Sequence, residues 1–554
     1  MTDAQDMPRV LVGLPRTHAA EATTADITAA DLKTRLYAFA DDSMEGREAG
    51  KRGGARAEEW LAREARRIGL IPAGDNGTYF QKIPLSSRKA DPSSILRVGD
   101  QALAYGRDFA PVPRLGAPAL GGPPFGGTFN GANVETVFGG RAGDPNTIEP
   151  AAVRGKLVVL LAPLDPNGRL RATFWQRDNL VRYAGAAAIA VIALDGPPPP
   201  FASAARDTYD DREKPGTTLT AMLISNDAAA AIFGAPAASL TVGTAGKSVS
   251  GRVGFIDTPT ETPARNVVAI LPGSDPALRN SYVAVGAHSD HIGFTPRALE
   301  HDSIRVFNSI VRPRGADDPP RPATEAQASL VHAVLDSMHR LLPARADSIN
   351  NGADDDGSGS VLALEIAESL VKHAPRRSVL FVWHTAEEKG LYGAQYFSDH
   401  PTVPRDSIVA QINMDQMGRG EPEDAPPGGR NALVIIGAKR LSTELGTLAE
   451  TVNARPQHSF ALDYAFDRDG DPTQAYCRSD HYMYARYGIP VVFYSAAAWH
   501  IDYHMVSDEP QYVAYDRTAR IGRYIRDVIE AVANLDHRPV VDKPRPDPNG
   551  SCKQ

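Results

Sequence analysis

Five short runs rich in Val, Ile and aromatic residues, NVVAILPG, SYVAVGA, RSVLFVWHT, IVAQINM and GIPVVFYS, punctuate residues 266–495, and helix-patterned stretches such as SVLALEIAESLVKH lie between them. Short apolar runs bounded by loops read as strands buried on both faces, and their alternation with helices requires an α/β architecture built on a doubly wound, mostly parallel sheet. In such a sheet ligands gather where the strands end at their carboxyl edge. The sequence is therefore most informative at the residues that follow each run.

SYVAVGA runs into His288-Ser289-Asp290, RSVLFVWHT is followed by Glu387-Glu388, IVAQINM by Asp415, and GIPVVFYS leads on to Asp502-Tyr503-His504. A fifth piece, NNGADDDGSGS (350–360), is a Gly-rich acidic turn placed just before a helix. Each has an ordinary explanation when taken alone: a strand-end His at the surface, a solvated Glu pair, aspartates that favour a helix N-terminus. Their convergence on one sheet edge is a constellation of His and carboxylates of the kind that holds catalytic metal.

Composition narrows the chemistry. With 59 Lys and Arg against 67 Asp and Glu the net charge is −8, so there is no basic field to meet phosphates and no nucleic acid partner is expected. Only Cys477 and Cys552 are present, too few for a disulfide framework or a cysteine zinc site, so a metal here must be held by His and carboxylates. No run approaches 18 apolar residues, and MTDAQDMPRVLVGLPR has no signal-peptide core. The chain as written is expected to be soluble, with no transmembrane segment; the mature form of an exported protein would read the same way.

Residues 1–29, rich in Ala, Thr and Asp, read as a flexible tail, and residues 30–113 as the first part of the main domain, with an amphipathic helix from Gly53 to Gly69. From 114 to 262 the composition shifts toward Gly, Pro and Ala. KLVVLLA and AAAIAVIAL read there as strands, and MLISNDAAAAIF as a strand capped into a helix by Asn226 or Asp227, which suggests a small inserted α/β module. The main domain resumes over 263–540 and closes with the helix in AYDRTARIGRYIRDVIEAVANLD; residues 541–554 read as a second flexible tail. Asp355 follows His288 by 67 positions, a stretch that includes an insertion at about 294–349, where TEAQASLVHAVLDSMHRLL predicts an extra helix. This insertion is left open as a lid, a pocket wall or a dimer contact.

The motifs GAHSDH, GADDDGSG, HTAEEKGLYGAQYF, NMDQMG, RSDH and DYH occur in this order over residues 264–515. They resemble the co-catalytic zinc aminopeptidase family that also contains glutamate carboxypeptidase, glutaminyl cyclase and the inactive transferrin receptor. DDSMEGREAGKRGGARAEEWLAREARRIGL is similar to the opening of bacterial leucyl aminopeptidase-like members, and the 114–262 module to the protease-associated domain of many relatives. The resemblance implies a zinc exopeptidase fold and two Zn²⁺ per chain, with Asp355 bridging, Glu388 and His504 on one ion, and His288 and Asp415 on the other. It implies Glu387 as general base and, in positions that bind the oxyanion or the substrate in some relatives, Tyr503 and Arg478. It also implies export to the periplasm or the extracellular space. Asp290, two residues beyond His288, is the expected acceptor for that imidazole N–H. The chain departs from the family pattern at His504-Met505-Val506, where Thr and Pro usually follow the His. The second GADD string, Gly315 to Asp318, is rejected as a metal loop because Pro319 and Pro320 block the following turn, and Asp317 is expected to tolerate substitution.

The implied activity is release of N-terminal residues from a peptide substrate through a zinc-activated water. Carboxypeptidase and glutaminyl cyclase activity on the same scaffold are the alternatives, and a non-catalytic receptor-like protein is a third. The complete ligand set argues against the cyclase, which uses one zinc, and together with Glu387 against the receptor. A cleft dense in Asp and Glu favours a cationic amine over an anionic C-terminus, with Arg478 and Arg419 the only cations the motifs place nearby.

Overall fold

Each apolar run of the sequence is a strand in the computed structural model, which describes residues 14–113, 126–144, 146–163, 181–195, 205–209, 219–420, 429–496, 500–550 and 552–554. Contacts divide the chain into two units. The first comprises Met1–Ile83, Glu261–Pro548 and Lys553–Gln554, and the second Pro84–Thr260 with residues 549–552.

The first unit opens with α1 (Ala29–Phe39), whose N-terminus is capped by the Thr28 side chain, and α2 (Arg52–Ile68), which ends at Gly69 as its sequence signalled. Strands β1 (Ile71–Pro72), β2 (Phe80–Lys82), β3 (Arg265–Leu271) and β4 (Tyr282–His288) follow. The insertion contributes β5 (Phe294–Glu300), α3 (His301–Val311), α4 (Glu325–His339) and β6 (Ala346–Ile349). Then come α5 (Gly359–Val371), β7 (Ser378–His384), α6 (Tyr392–Asp399), β8 (Ile408–Met414), β9 (Ala432–Ile436), α7 (Thr443–Asn453), β10 (Ala461–Asp463), α8 (His481–Ala485), β11 (Val491–Ser495) and the closing α9 (Tyr515–Ala533).

The large sheet has the order β1-β3-β7-β4-β8-β11-β9-β10, with β2 also paired to β3. Its centre is parallel, β4 lying between β7 and β8 and β8 beside β11. The β3–β7 and β9–β11 pairs are antiparallel, so the sheet is mixed rather than mostly parallel. Strands β7, β8, β9 and β11 are buried along their whole length, which is why their sequences are continuous apolar runs and not alternating ones. Helix α5 packs Leu362, Leu364 and Ile366 into the core shared with Trp383 and with Ile525 of α9. The indole N–H of Trp383 donates to the Ser360 carbonyl at 3.0 Å, tying β7 to the start of α5.

The insertion is more elaborate than the single helix its periodicity predicted. A capping box of Thr324 and Gln327 starts α4, and Val306, Val331, Val334 and Met338 form a small apolar cluster between α3 and α4. Both terminal segments also differ from the free tails expected. Residues 1–13 lie outside the described residues, but Ile27 is buried and Thr23 donates to Glu368 at 2.9 Å. At the other end the Asp542 N–H donates to Leu441, and Gln554 accepts from the Gly470 and Tyr476 N–H groups.

The second unit starts at Pro84, earlier than the compositional shift near 114, because the segments 85–90, 95–98, 101–103 and 109–111 pair within it. Its eight-stranded sheet has a parallel centre made of Phe129–Arg141, Leu157–Leu161, Ala188–Ile192 and Ala221–Ile224, and a three-stranded sheet has Leu85–Ala90 as its middle strand. The helix Asn226–Phe233 is capped by Ser225, one residue before the two cap candidates, through an Ala228 N–H bond of 3.1 Å. Among the described residues no helix is long and apolar enough to cross a membrane.

The loop from β7 to α6, which carries Glu387 and Glu388, is clamped at its base: Gly393 N–H donates to Thr385, and Asn266 joins both residues through bonds of 2.9 and 3.0 Å. A Cβ at Gly393 would collide with the Thr385 carbonyl and the Asn266 amide. Gly393→Ala is therefore expected to destabilise the protein by about 1–3 kcal/mol, the cost of overpacking against backbone, which exceeds the gain of up to about 1 kcal/mol in helix propensity. Denaturant unfolding of the two proteins checks this.

Candidate metal centre

His288 ends β4 with its imidazole buried. Its Nδ1–H donates to the main-chain carbonyl of Asp290 at 3.0 Å, which turns Nε2 toward the cleft. The Asp290 carboxylate is 3.8 Å from Nδ1 and instead accepts the Glu387 N–H at 3.0 Å, so the residue expected to orient the ring does so through its backbone. His288 Nε2 lies 3.1 Å from Asp355 Oδ1 and 3.6 Å from Asp415 Oδ1.

The other Asp355 oxygen faces a second histidine. His504 Nε2 is 3.1 Å from Asp355 Oδ2 and 2.9 Å from Glu388 Oε2. Asp355 thus belongs to two groups whose ligand-capable atoms converge within 4.8 Å: His288, Asp355 and Asp415, and His291, Asp355, Glu388 and His504. His291 was missed in the sequence because a His following Asp290 carried no spacing signal; its Nδ1–H donates to Glu388 Oε1 at 2.7 Å. Glu387 reaches within 4.0 Å of His288 Nε2 and belongs to neither group.

The three consecutive aspartates are all buried and each has a different partner set. Asp356 accepts the N–H groups of His288, Gly359 and Gln416 at 2.9–3.2 Å, joining β4, α5 and the end of β8. Asp354 meets the Arg419 guanidinium at 3.2 Å, and that same guanidinium reaches Asp502 at 3.0 Å and Asp508 at 2.5 Å. Asp508 in turn accepts the Asp354 and Asp355 N–H groups. Arg47, also fully buried, donates to the carbonyls of Ser289, Asn351 and Gly352 and fixes the approach to the turn. Ser479 donates to Asp415 Oδ2 at 2.8 Å.

Burial pushes the Glu387 carboxyl well above the usual range, and neighbouring Glu388 and Asp415 add to the rise against the opposing pull of His288. Glu388, although burial opposes it, is held down at about 2 by His504. His504 is reciprocally raised to about 11 against its own desolvation, chiefly by Glu388 and Asp355. Asp355 stays well below the ordinary carboxylate range despite burial, because His288 and His504 both donate to it. The residues fit divalent metal on independent grounds: Asp415 Oδ1 is a buried oxygen with no hydrogen bond, and the donor set is imidazole and carboxylate.

A cleft of about 580 Å³ opens over these groups and is walled by Val434, Ile436, Phe466 and Phe493, with Tyr503, Arg478 and Ser479 on its lining. The Tyr503 ring stacks on His504 with centroids 4.0 Å apart, and its hydroxyl is 3.4 Å from Arg478 Nη2. Of the cations expected near the substrate, Arg419 is buried among its three aspartates and Arg478 is paired with Asp317 through two contacts of 3.2 Å. Asp317 belongs to neither group that contains Asp355, and it touches a residue that lines the cleft.

Comparison with known proteins bears on this geometry. Residues 266–529 match Peptidase family M28. The M28 match takes in all five expected ligands together with Glu387, Arg478 and Tyr503, so the family resemblance carried by the motifs holds. A probable zinc metalloprotease of Leptosphaeria maculans is 26% identical over 257 residues, 40% of this chain and 56% of that protein. Leucine aminopeptidase 1 of Colletotrichum graminicola is 33% identical over 137 residues, 21% of this chain and 34% of the relative. The chain spans about half the length of the first curated relatives it matches. Among solved structures, an aminopeptidase from Aneurinibacillus sp. strain AM-1 aligns over 98% of this chain and 100% of its own with 15% identity and a TM-score of 0.45.

The Arg419 cluster sets an expectation for stability. Arg419→Met removes the only guanidinium shared by Asp354, Asp502 and Asp508 among the described residues, and the stranded carboxylates should cost about 3–5 kcal/mol. Equilibrium unfolding measures the loss, and a variant as stable as wild type would contradict the role given to this cluster.

Proposed function

We propose that this chain is a di-zinc aminopeptidase. The observation that carries the reading is the placement of the two Asp355 oxygens, one facing His288 and the other His504, with Glu387 beside them and outside both groups. One zinc is assigned to His288, Asp355 and Asp415, and the other to Asp355, Glu388 and His504. Zinc is favoured over other cations by the mixed imidazole and carboxylate donors and by the name of the Leptosphaeria maculans relative, a probable zinc metalloprotease. Held in this way, zinc would supply an activated water and polarise the scissile carbonyl.

Glu387 takes the proton of the attacking water and returns it to the leaving amine, a role helped by the elevated proton affinity that burial gives it. Tyr503, stacked on His504, and Arg478 line the cleft and are read as the groups that meet the carbonyl oxygen or the substrate backbone. The free α-amine of the substrate is drawn to the carboxylates, while Arg419 and Arg478 are engaged by aspartates and make a poor pocket for a C-terminal carboxylate. The unit Pro84–Thr260 is read as the protease-associated domain. Both cysteines are disulfide-bonded, which favours an exported protein.

Roles of the two glutamates separate by variant. Glu387→Gln should keep two zinc ions by elemental analysis yet lose kcat by at least about 10²-fold, whereas Glu388→Gln should lose metal. Free aminoacyl anilides should be cleaved and their N-acetylated forms should not; the reverse pattern would overturn the reading.

Zinc uptake should also release protons. In the metal-free protein His504, raised to about 11, and His288, raised well above its ordinary value by Glu387 and Asp415 against desolvation, are protonated at neutral pH. Zinc binds only the neutral imidazole, so binding near pH 7 should release about one proton per histidine, and affinity should fall as the pH is lowered. Calorimetry in buffers of different ionisation enthalpy counts the protons.

A further inference from the structure

The insertion reaches the cleft through one turn. Gly315 has φ +56, and a Cβ there would come within 2.8 Å of the Tyr503 carbonyl and 2.9 Å of the His500 carbonyl, so this backbone lies directly against the segment that carries His504. The Ala316 N–H donates to the same Tyr503 carbonyl at 3.1 Å. Behind the turn, Asp318 accepts the Arg314 N–H at 2.9 Å and pairs with the Arg314 side chain at 3.0 Å, while the Asp318 carbonyl accepts from Arg312 Nη2 at 2.7 Å. The turn is thereby braced from within and seated on the metal loop. It presents Asp317 to Arg478, each carboxylate oxygen meeting a different guanidinium nitrogen at 3.2 Å.

This pairing fixes the charge at the cleft. The side chains of Arg478 and Asp317 are 35% and 22% exposed; Arg478 lines the cleft, and Asp317 stands behind it as its counter-charge. A guanidinium held by two parallel bonds to a carboxylate has its anion-binding edge filled. With Asp317 present the lip is neutral beside Glu387, and with Asp317 neutralised it carries one positive charge. We propose that Asp317 is a specificity-determining residue, which occupies Arg478 and so keeps the cleft from accepting an N-terminal residue with an acidic side chain. The insertion then acts as a pocket wall, and the second GADD string, rejected as a metal loop, supplies the counter-charge of the site. The inference rests on the aminopeptidase reading and deepens it to the class of N-terminal residue.

The test compares kcat/KM for leucyl and glutamyl p-nitroanilide in the zinc-loaded full chain. Asp317→Asn should raise the glutamyl-to-leucyl ratio by about tenfold, as expected for one uncompensated charge near a protein surface, with the change carried by KM. Asp317→Glu should keep the wild-type ratio, and adding Arg478→Gln to Asp317→Asn should abolish the gain. Equal loss on both substrates with zinc retained would overturn the inference alone and leave Asp317 as a brace. Inactivity of the wild type on both would overturn the aminopeptidase reading and this inference with it. Should Asp317→Asn fail to fold, Arg478→Gln reads the pair from the other side: it leaves an uncompensated acid at the lip, and the ratio should fall below wild type. An unchanged ratio there would also overturn the proposal.

Discussion

The centre of this molecule is organised by one buried cation. Arg419 lies fully buried, directly after the turn that follows β8, and its guanidinium gathers Asp354, Asp502 and Asp508. Those aspartates belong to the two loops that supply Asp355 and His504, which are distant in sequence and have no strand pairing to align them. A charged group removed from water is tolerated only with its partners in place, so the loops can reach their buried positions only together. Burial raises Asp354 to about 6 and Asp508 to about 7 even beside the guanidinium, while Asp502, served by both Arg305 and Arg419, is lowered to about 2 against the same desolvation. The alignment of the metal-binding atoms follows from that electrostatic packing.

Around this core, the parallel centre of the sheet sets the distances. β4 and β7 run side by side in register from Tyr282 opposite Ser378 to His288 opposite His384, so His288 and the Glu387-Glu388 loop leave the same edge a few residues apart. β8 lies on the other side of β4 and carries its chain to Asp415. The three strands could not supply these groups to one place if β4 were antiparallel to either neighbour. The antiparallel pairs β3–β7 and β9–β11 form on the far edges of β7 and β11, so neither of them includes β4.

The insertion participates in the same network. Arg305 of α3 meets Asp502 at 3.1 Å, Asn308 donates to the Ile501 carbonyl, and Arg345 pairs with Glu509 at 2.5 Å. A segment that looks dispensable by length is thus wired to the residues on either side of His504. Its Gly315–Asp317 turn continues the connection to Tyr503 and Arg478.

The α/β class and the positions of the central strands and helices were legible in the sequence, as was the set His288, Asp355, Glu387, Glu388, Asp415 and His504 that the structure brings together at one cleft. Strands buried on both faces must be continuous apolar runs, and metal-capable residues at their ends are conspicuous against them. What the sequence did not contain was partnership. Nothing local distinguishes Asp354 from Asp355 or Asp356, yet one pairs with Arg419, one faces two histidines and one anchors backbone N–H groups. His291, Arg47, Ser479 and the partner of Asp317 were silent for the same reason, and the antiparallel pairs and the attached terminal segments depend on contacts between distant residues. Hydrophobic period and spacing are properties of neighbouring residues and survive in a linear string. The sharing of one buried charge among loops 65 and more positions apart exists only once the chain has folded.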